Sequence, residues 1–212
     1  MKKVKFIVFI CLFILLPLAY FNGFIRISDL TSEQESIAKK YGGIYVFDEK
    51  LEKEIDKREE ERDKYLDDFF KNNNRDFDLN DQAIMNEKLP RVLSNGKKYY
   101  LRWIDYENET RKKIKTPQIY KDKIKEFIGS EDYEKFKPSY DLGYFYIDDN
   151  DEIRVIDLSL DYYVVETTYT LSGDEASGIK FTKNRYINVA GDNYFYLIDN
   201  KFQKISNKDK DK

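Results

Sequence analysis

Carboxylates are the residues of this sequence best spaced to do chemistry. Asp148, Asp149, Asn150, Asp151 and Glu152 form one run, and hard oxygen donors of this kind suit calcium. The run imitates the opening of an EF-hand loop at Asp148, Asn150 and Glu152. It then departs, with Ile153 where that loop needs glycine and Ser159 where it needs a bidentate glutamate. The cluster therefore reads as a polar hairpin turn, and no metal ligand is assigned. Paired carboxylates can also hydrolyse glycosidic bonds without histidine or metal. Glu107 and Glu109 beside Trp103, and Asp157, Asp161 and Glu166 further on, are the pairs to consider, but 40 acidic residues make such pairs common.

Two absences narrow the field. The chain has no histidine, and its one cysteine, Cys11, lies inside an apolar run. Histidine general-base catalysis, a thiol nucleophile in the folded part, His/Cys zinc sites and an internal disulfide are all excluded. Gly173 and Gly178 lack the Lys-Ser/Thr that a phosphate loop requires. No catalytic residue and no cofactor is assigned, which points to a non-catalytic chain. An envelope-polysaccharide hydrolase working through carboxylates is the alternative.

Eighteen tyrosines point instead to a contact surface, because tyrosine is favoured at protein interfaces. Tyr99, Trp103, Tyr144, Tyr146, Tyr163, Tyr194 and Tyr196 fall on β-prone runs and are the candidate partner-binding residues. The expected partner is another envelope protein or an incoming toxin. Strand propensity alone also favours tyrosine, so the seven need not share one surface.

The elements that must position these residues begin at the N-terminus. Lys2, Lys3 and Lys5 precede Phe6 to Phe21, sixteen residues without a charge, and the apolar character extends to Ile25. Cations before an apolar run give an N-in, C-out orientation, so the rest of the chain is expected on the extracytoplasmic side. A cleaved signal peptide and an uncleaved anchor both fit. Residues 6–25 reach the length of a span, and Pro17 sits where cleavage after Ala19 wants a small residue, so the anchor is preferred. Setting aside those three lysines leaves 34 of the 37 basic residues against 40 acidic ones, a net charge of −6. A mildly acidic body argues against nucleic-acid binding, which draws on phosphate neutralisation.

The body is expected to be one α+β domain over residues 26–206, helical in about 32–90 and sheet-forming in about 95–206, with a frayed tail at 207–212. Residues 24–31 read as a connector. Capping boxes at Thr31/Gln34 and Ser32/Glu35 open a helix to Tyr41 that Gly42-Gly43 stop. Ile44 to Phe47 is a short β-prone run. Asp48 caps a long charged helix to Lys71, whose apolar face Arg58 and Arg62 interrupt. A short helix is expected over 81–88 and an amphipathic one from Thr116-Pro117 to Gly129. A β-run at 97–106 carries Tyr99, Leu101 and Trp103 in alternation. Residues 143–206 read as an antiparallel meander of six strands in one sheet, packed by the helices. Gly143–Ile156 and Asn193–Ile205 echo each other, which fits two similar hairpins in that sheet.

Overall fold

In a computed structural model, residues 2–174, 178–189 and 191–205 are described. The expected tail at 207–212 lies outside them. The helical backbone from Lys2 to Phe21 comprises α1 (Lys2–Ile10), a π-helical stretch (Cys11–Leu15) and α2 (Leu16–Phe21). Among the described residues no helix is long and apolar enough to cross a membrane, and these three segments hold nine, five and six residues. Most of their apolar side chains between Val4 and Leu18 are nonetheless exposed.

The expected connector is a strand. β1 (Asn22–Ser28) follows α2 without a break and pairs with β8 (Tyr163–Asp174), which pairs in turn with β9 (Gly178–Asn188). α3 (Ser32–Tyr41) opens with the Thr31/Gln34 capping box. After it, Gly42-Gly43 stop the helix and also let β2 (Gly43–Val46) close on β10 (Asn193–Ile198). Gly43 has φ 141°, and a β-carbon there would fall 2.1 Å from the Asn193 carbonyl oxygen. The Asn193 side-chain amide donates to the carbonyls of Lys39 and Gly42 at 2.9 and 2.7 Å, fixing that approach.

The central sheet has the order β11 (Lys201–Ile205), β10, β2, β7 (Asp157–Asp161), β4 (Ser139–Leu142). β2 and β10 are parallel and every other neighbour is antiparallel. α3 and α7 (Gln118–Ile128) cover it through Ile37, Ala38, Ile124 and Ile128. Tyr45, Phe127, Phe195 and Phe202 fill the layer between, with the Tyr45 and Phe195 rings stacked at 4.6 Å. α8 (Ser130–Lys135) follows α7 and ties back through Asp132, which accepts from the Tyr41 hydroxyl at 3.0 Å.

The meander is three sheets rather than one. β5 (Phe145–Ile147) and β6 (Ile153–Val155) form a small sheet with β3 (Tyr99–Tyr100). The chain leaves that sheet for the central one at Ile156, and leaves the central one for the β1–β8–β9 sheet at Tyr162. Both corner residues are fully buried. One buried side chain at each corner breaks the alternation and turns the strand into a new layer. The two echoing hairpins accordingly sit in different sheets.

The β-run expected over 97–106 is cut to β3, and α6 (Trp103–Thr110) replaces its second half. Helical spacing returns Tyr106 to Tyr100 and Phe145, with ring centroids at 5.1 and 5.9 Å. The ion pair Arg102–Asp105 at 2.9 Å supports the first turn. α4 (Glu49–Asn72) and α5 (Leu79–Lys88) match their expected spans closely, and α4 is capped by Asp48, whose carboxylate accepts from the Leu51 amide at 2.9 Å.

Candidate functional site

Three of the seven aromatic candidates face inward, onto one side of α4. Residues 52, 55, 56, 59 and 62 share that side at helical spacing. The Tyr99 hydroxyl donates to Glu59 Oε1 at 2.6 Å, the Tyr144 hydroxyl to Asp56 Oδ1 at 3.2 Å, and Tyr196 is hydrogen-bonded to Glu52. Burial, then the neighbouring carboxylate, pushes each of these phenols upward. Arg91 adds two bonds to Glu59 at 2.9 and 2.6 Å. Burial alone would raise the Glu59 carboxyl, but the Arg91 and Tyr99 donors outweigh it and hold it below its ordinary range. Arg62, set within the apolar face of α4, is buried and donates to Asn86 Oδ1 at 2.7 Å and to the Leu89 carbonyl. These tyrosines clamp the long helix to the small sheet and the central sheet.

The other four candidates are scattered. Trp103 opens α6 on the rim of a cleft of about 510 Å³ with Ile114, Lys121 and Tyr140. Tyr146 is half-buried on β5 and Tyr194 half-buried on β10. Tyr163 is 45% exposed at the start of β8. The seven do not form one surface.

Tyr163 nonetheless belongs to a displayed face that the strand registers define. In an antiparallel pair, residues directly opposite one another point to the same side. Tyr163 faces Asn188, Val165 faces Tyr186, Thr167 faces Asn184 and Ile27, and Tyr169 faces Thr182 and Ile25. One side of the β1–β8–β9 sheet thus carries Tyr163, Tyr169, Tyr186, Ile25, Ile27 and Val165 among neutral Thr and Asn. Tyr186 is 80% exposed and Ile27 50%. The opposite side is rooted in the core by Val164 and Ile187, and beyond them Glu166 pairs with Arg185 at 2.7 Å.

Sequence reasoning placed only Tyr163 on this face. Tyr169 was legible, because Tyr163, Val165, Thr167 and Tyr169 alternate. Ile25 and Ile27 were hidden in a stretch read as a connector. Tyr186 sits on a strand that had been expected, but only register shows which neighbours it joins.

The acidic candidates are engaged elsewhere. Asp148 accepts from the amides of Asn150 and Glu152 at 2.9 and 3.0 Å and from Arg154 at 2.7 Å, closing the turn between β5 and β6, while Asp149 and Asp151 pair with Lys97 and Lys112. Among the described residues no group of three or more His, Cys, Asp or Glu is placed to hold a metal ion. Glu107 and Glu109 lie on α6, paired with Lys113 and Lys98 at 2.6 Å each. Asp161 accepts from Ser159 and Asn188 at 3.0 and 2.8 Å. Hydrogen bonds and nearby cations pull down Glu54, Glu59, Glu60, Asp81, Glu107, Glu134 and Asp148. A glycosidase acid needs the opposite displacement.

No family model, no curated protein and no solved structure matches this chain.

Proposed function

We propose that this chain is a membrane-anchored, extracytoplasmic, non-catalytic module that binds another protein through the Tyr163–Tyr186 face of its three-stranded sheet. The carrying observation is the 80% exposure of Tyr186 on a face that also presents Tyr163 and Ile27. A sheet face rich in tyrosine, isoleucine and threonine, with no charged residue among the register partners named above, suits a protein partner better than a polyanion or a small ligand. Tyrosine offers large, rigid contact area at low entropic cost.

The anchor reading draws on the N-terminal helical stretch. Lysines precede apolar residues, most of them exposed. A helix that is hydrophobic all round requires an apolar environment, and among the described elements only β1 and β8, at its C-terminal end, lie beside it. Of the expected segment 6–25, residues 22–25 belong to β1, and the uncharged helical part, Phe6 to Phe21, would extend about 24 Å at the ordinary helical rise.

The test is capture of chemically crosslinked partners from the membranes of the producing cells, with the native chain and a Tyr163→Ser/Tyr186→Ser variant compared. The expected result is one partner in near-equal amount with the native chain and a loss of at least ten-fold with the variant. Equal recovery with both chains would place the binding surface elsewhere.

A further inference from the structure

We infer that the free edge of β4 is a second protein-binding site, which takes an extended segment of a partner as an added strand, with an apolar residue and a carboxylate two positions apart. This site is separate from the tyrosine face and does not depend on the anchor. β4 ends the central sheet, and among the described strands it pairs with β7 alone. Phe47, just past β2, donates its amide to the Ile156 carbonyl at 2.8 Å, while on the β10 side the Asn193 amide donates to the Gly42 carbonyl at 3.3 Å. Backbone groups alternate sides along a strand, so Gly43 and Tyr45 turn toward β7 and meet Leu160 and Leu158. Ser159 and Asp161 then turn the other way, to Asp141 and Ser139 of β4. That directs the N–H and C=O groups of Tyr140 and Leu142 outward, and among the described residues no backbone group answers them. Outward groups on alternate residues are the hydrogen-bonding half of a strand-addition site.

The cleft beside that edge supplies the other half, a place for side chains. It has a volume of about 510 Å³ and is lined by β4, by α6 and by the chain leading into α7. Tyr140 and Leu142 share one side of β4, opposite Leu160 and Leu158, and both line the cleft. A strand added along β4 sends every second side chain to that same side. Trp103, Ile114 and Leu142 offer apolar surface to one of them. For the next, the Lys121 ammonium lies over the Tyr140 ring, 5.6 Å from its centroid, and Lys115 is exposed on the same cleft. Glu107 is already taken by Lys113 at 2.6 Å, and Asp141 alternates to the other side of β4 with Ser159. Lys115 and Lys121 therefore set the charge of the cleft, and a carboxylate on the partner complements it. Edge strands are commonly blunted by proline or by charge, but here Pro138 precedes the strand and its one charged residue, Asp141, is turned off the cleft side.

The test pans a phage library of random nine-residue peptides on the full chain held in phosphatidylcholine nanodiscs, and measures the enriched peptides by fluorescence polarisation. Enrichment is expected for peptides with a carboxylate two residues from leucine, isoleucine or phenylalanine. Tyr140→Pro removes an outward amide that β7 does not use, and should weaken those peptides at least ten-fold. Lys121→Glu, which leaves the strand untouched, should weaken them at least ten-fold by charge alone. Lysine in place of the peptide's carboxylate should then restore binding to Lys121→Glu to within three-fold of the native pair. The Tyr163→Ser/Tyr186→Ser variant should bind the peptides as the native chain does. No enriched peptide, or peptides that bind Tyr140→Pro and Lys121→Glu as tightly as the native chain, would overturn the edge site. Peptides that lose affinity only with Tyr163→Ser/Tyr186→Ser would overturn it while the tyrosine face stands.

Discussion

Tyrosine does two different jobs in two regions of this molecule. Along α4, the Tyr99 and Tyr144 hydroxyls donate to Glu59 and Asp56, and Tyr196 is hydrogen-bonded to Glu52. Those hydroxyls are internal ties. On the β1–β8–β9 sheet, Tyr163 and Tyr186 turn outward from strands whose other side is rooted in the core. The residue type and the strand alternation are the same in both regions. What differs is whether a helix covers the face. A tyrosine-rich strand therefore announces neither a core nor an interface until its cover is known.

The contrast predicts an ordered set of effects on stability. Tyr99→Ala removes a fully buried aromatic and its tie to Glu59. It should cost about 3–5 kcal/mol, the usual range for truncating a buried aromatic, read by urea unfolding of the detergent-solubilised chain. Tyr99→Phe keeps the ring and removes only the hydroxyl. The expected cost is about 1.5–3 kcal/mol, as for a hydrogen bond to a charged group. If the two substitutions cost the same, the hydroxyl-to-carboxylate tie is the whole contribution and ring packing adds nothing.

Acid should loosen the clamp. The Glu59 carboxyl is held below its ordinary value of 4.5 in the folded chain, so the unfolded chain takes up that proton first as pH falls. The stability it contributes is present above 4.5 and is lost as pH drops toward the depressed folded value. The thermal midpoint should fall over that window, and Glu59→Gln should flatten part of the fall. An acid limb of unchanged steepness in Glu59→Gln would remove Glu59 from the account.

The smallest effect on stability, and the most informative contrast, is Tyr186→Ala. With its side chain 80% exposed, the substitution should change unfolding free energy by no more than about 0.5 kcal/mol while it weakens partner capture. A destabilisation comparable to that of Tyr99→Ala would mean that the sheet face is covered within the chain and is not displayed.

Much of this was legible in the sequence. The capping box at Thr31, the Asp48 cap and the amphipathic run ending at Gly129 are local signals, and α3, α4 and α7 fall where those signals put them. The strands of residues 143–205 were also visible as alternation and turns. Their partition into three sheets was not, because it depends on Ile156 and Tyr162 being buried at corners, and burial there is a long-range fact. The central position of β2, parallel to a strand about 150 residues later, left no local trace either. The Trp103 stretch failed for a related reason: strand propensity pointed one way, and packing of Tyr106 on Tyr100 and Phe145 won. For the candidate site, alternation assigned Tyr163 and Tyr169 to one side of a strand. Only the pairing with β1 and β9 joins this side to Ile27 and to the exposed Tyr186.

The most direct test of the central claim is site-specific photocrosslinking in native membranes, with p-benzoyl-phenylalanine placed at Tyr186 or at Leu79, an equally exposed residue of α5. A single strong adduct of defined mass from position 186, and none from position 79, is the predicted result. No adduct at 186, or the same adducts at both positions, would contradict the reading of the tyrosine face as a docking surface.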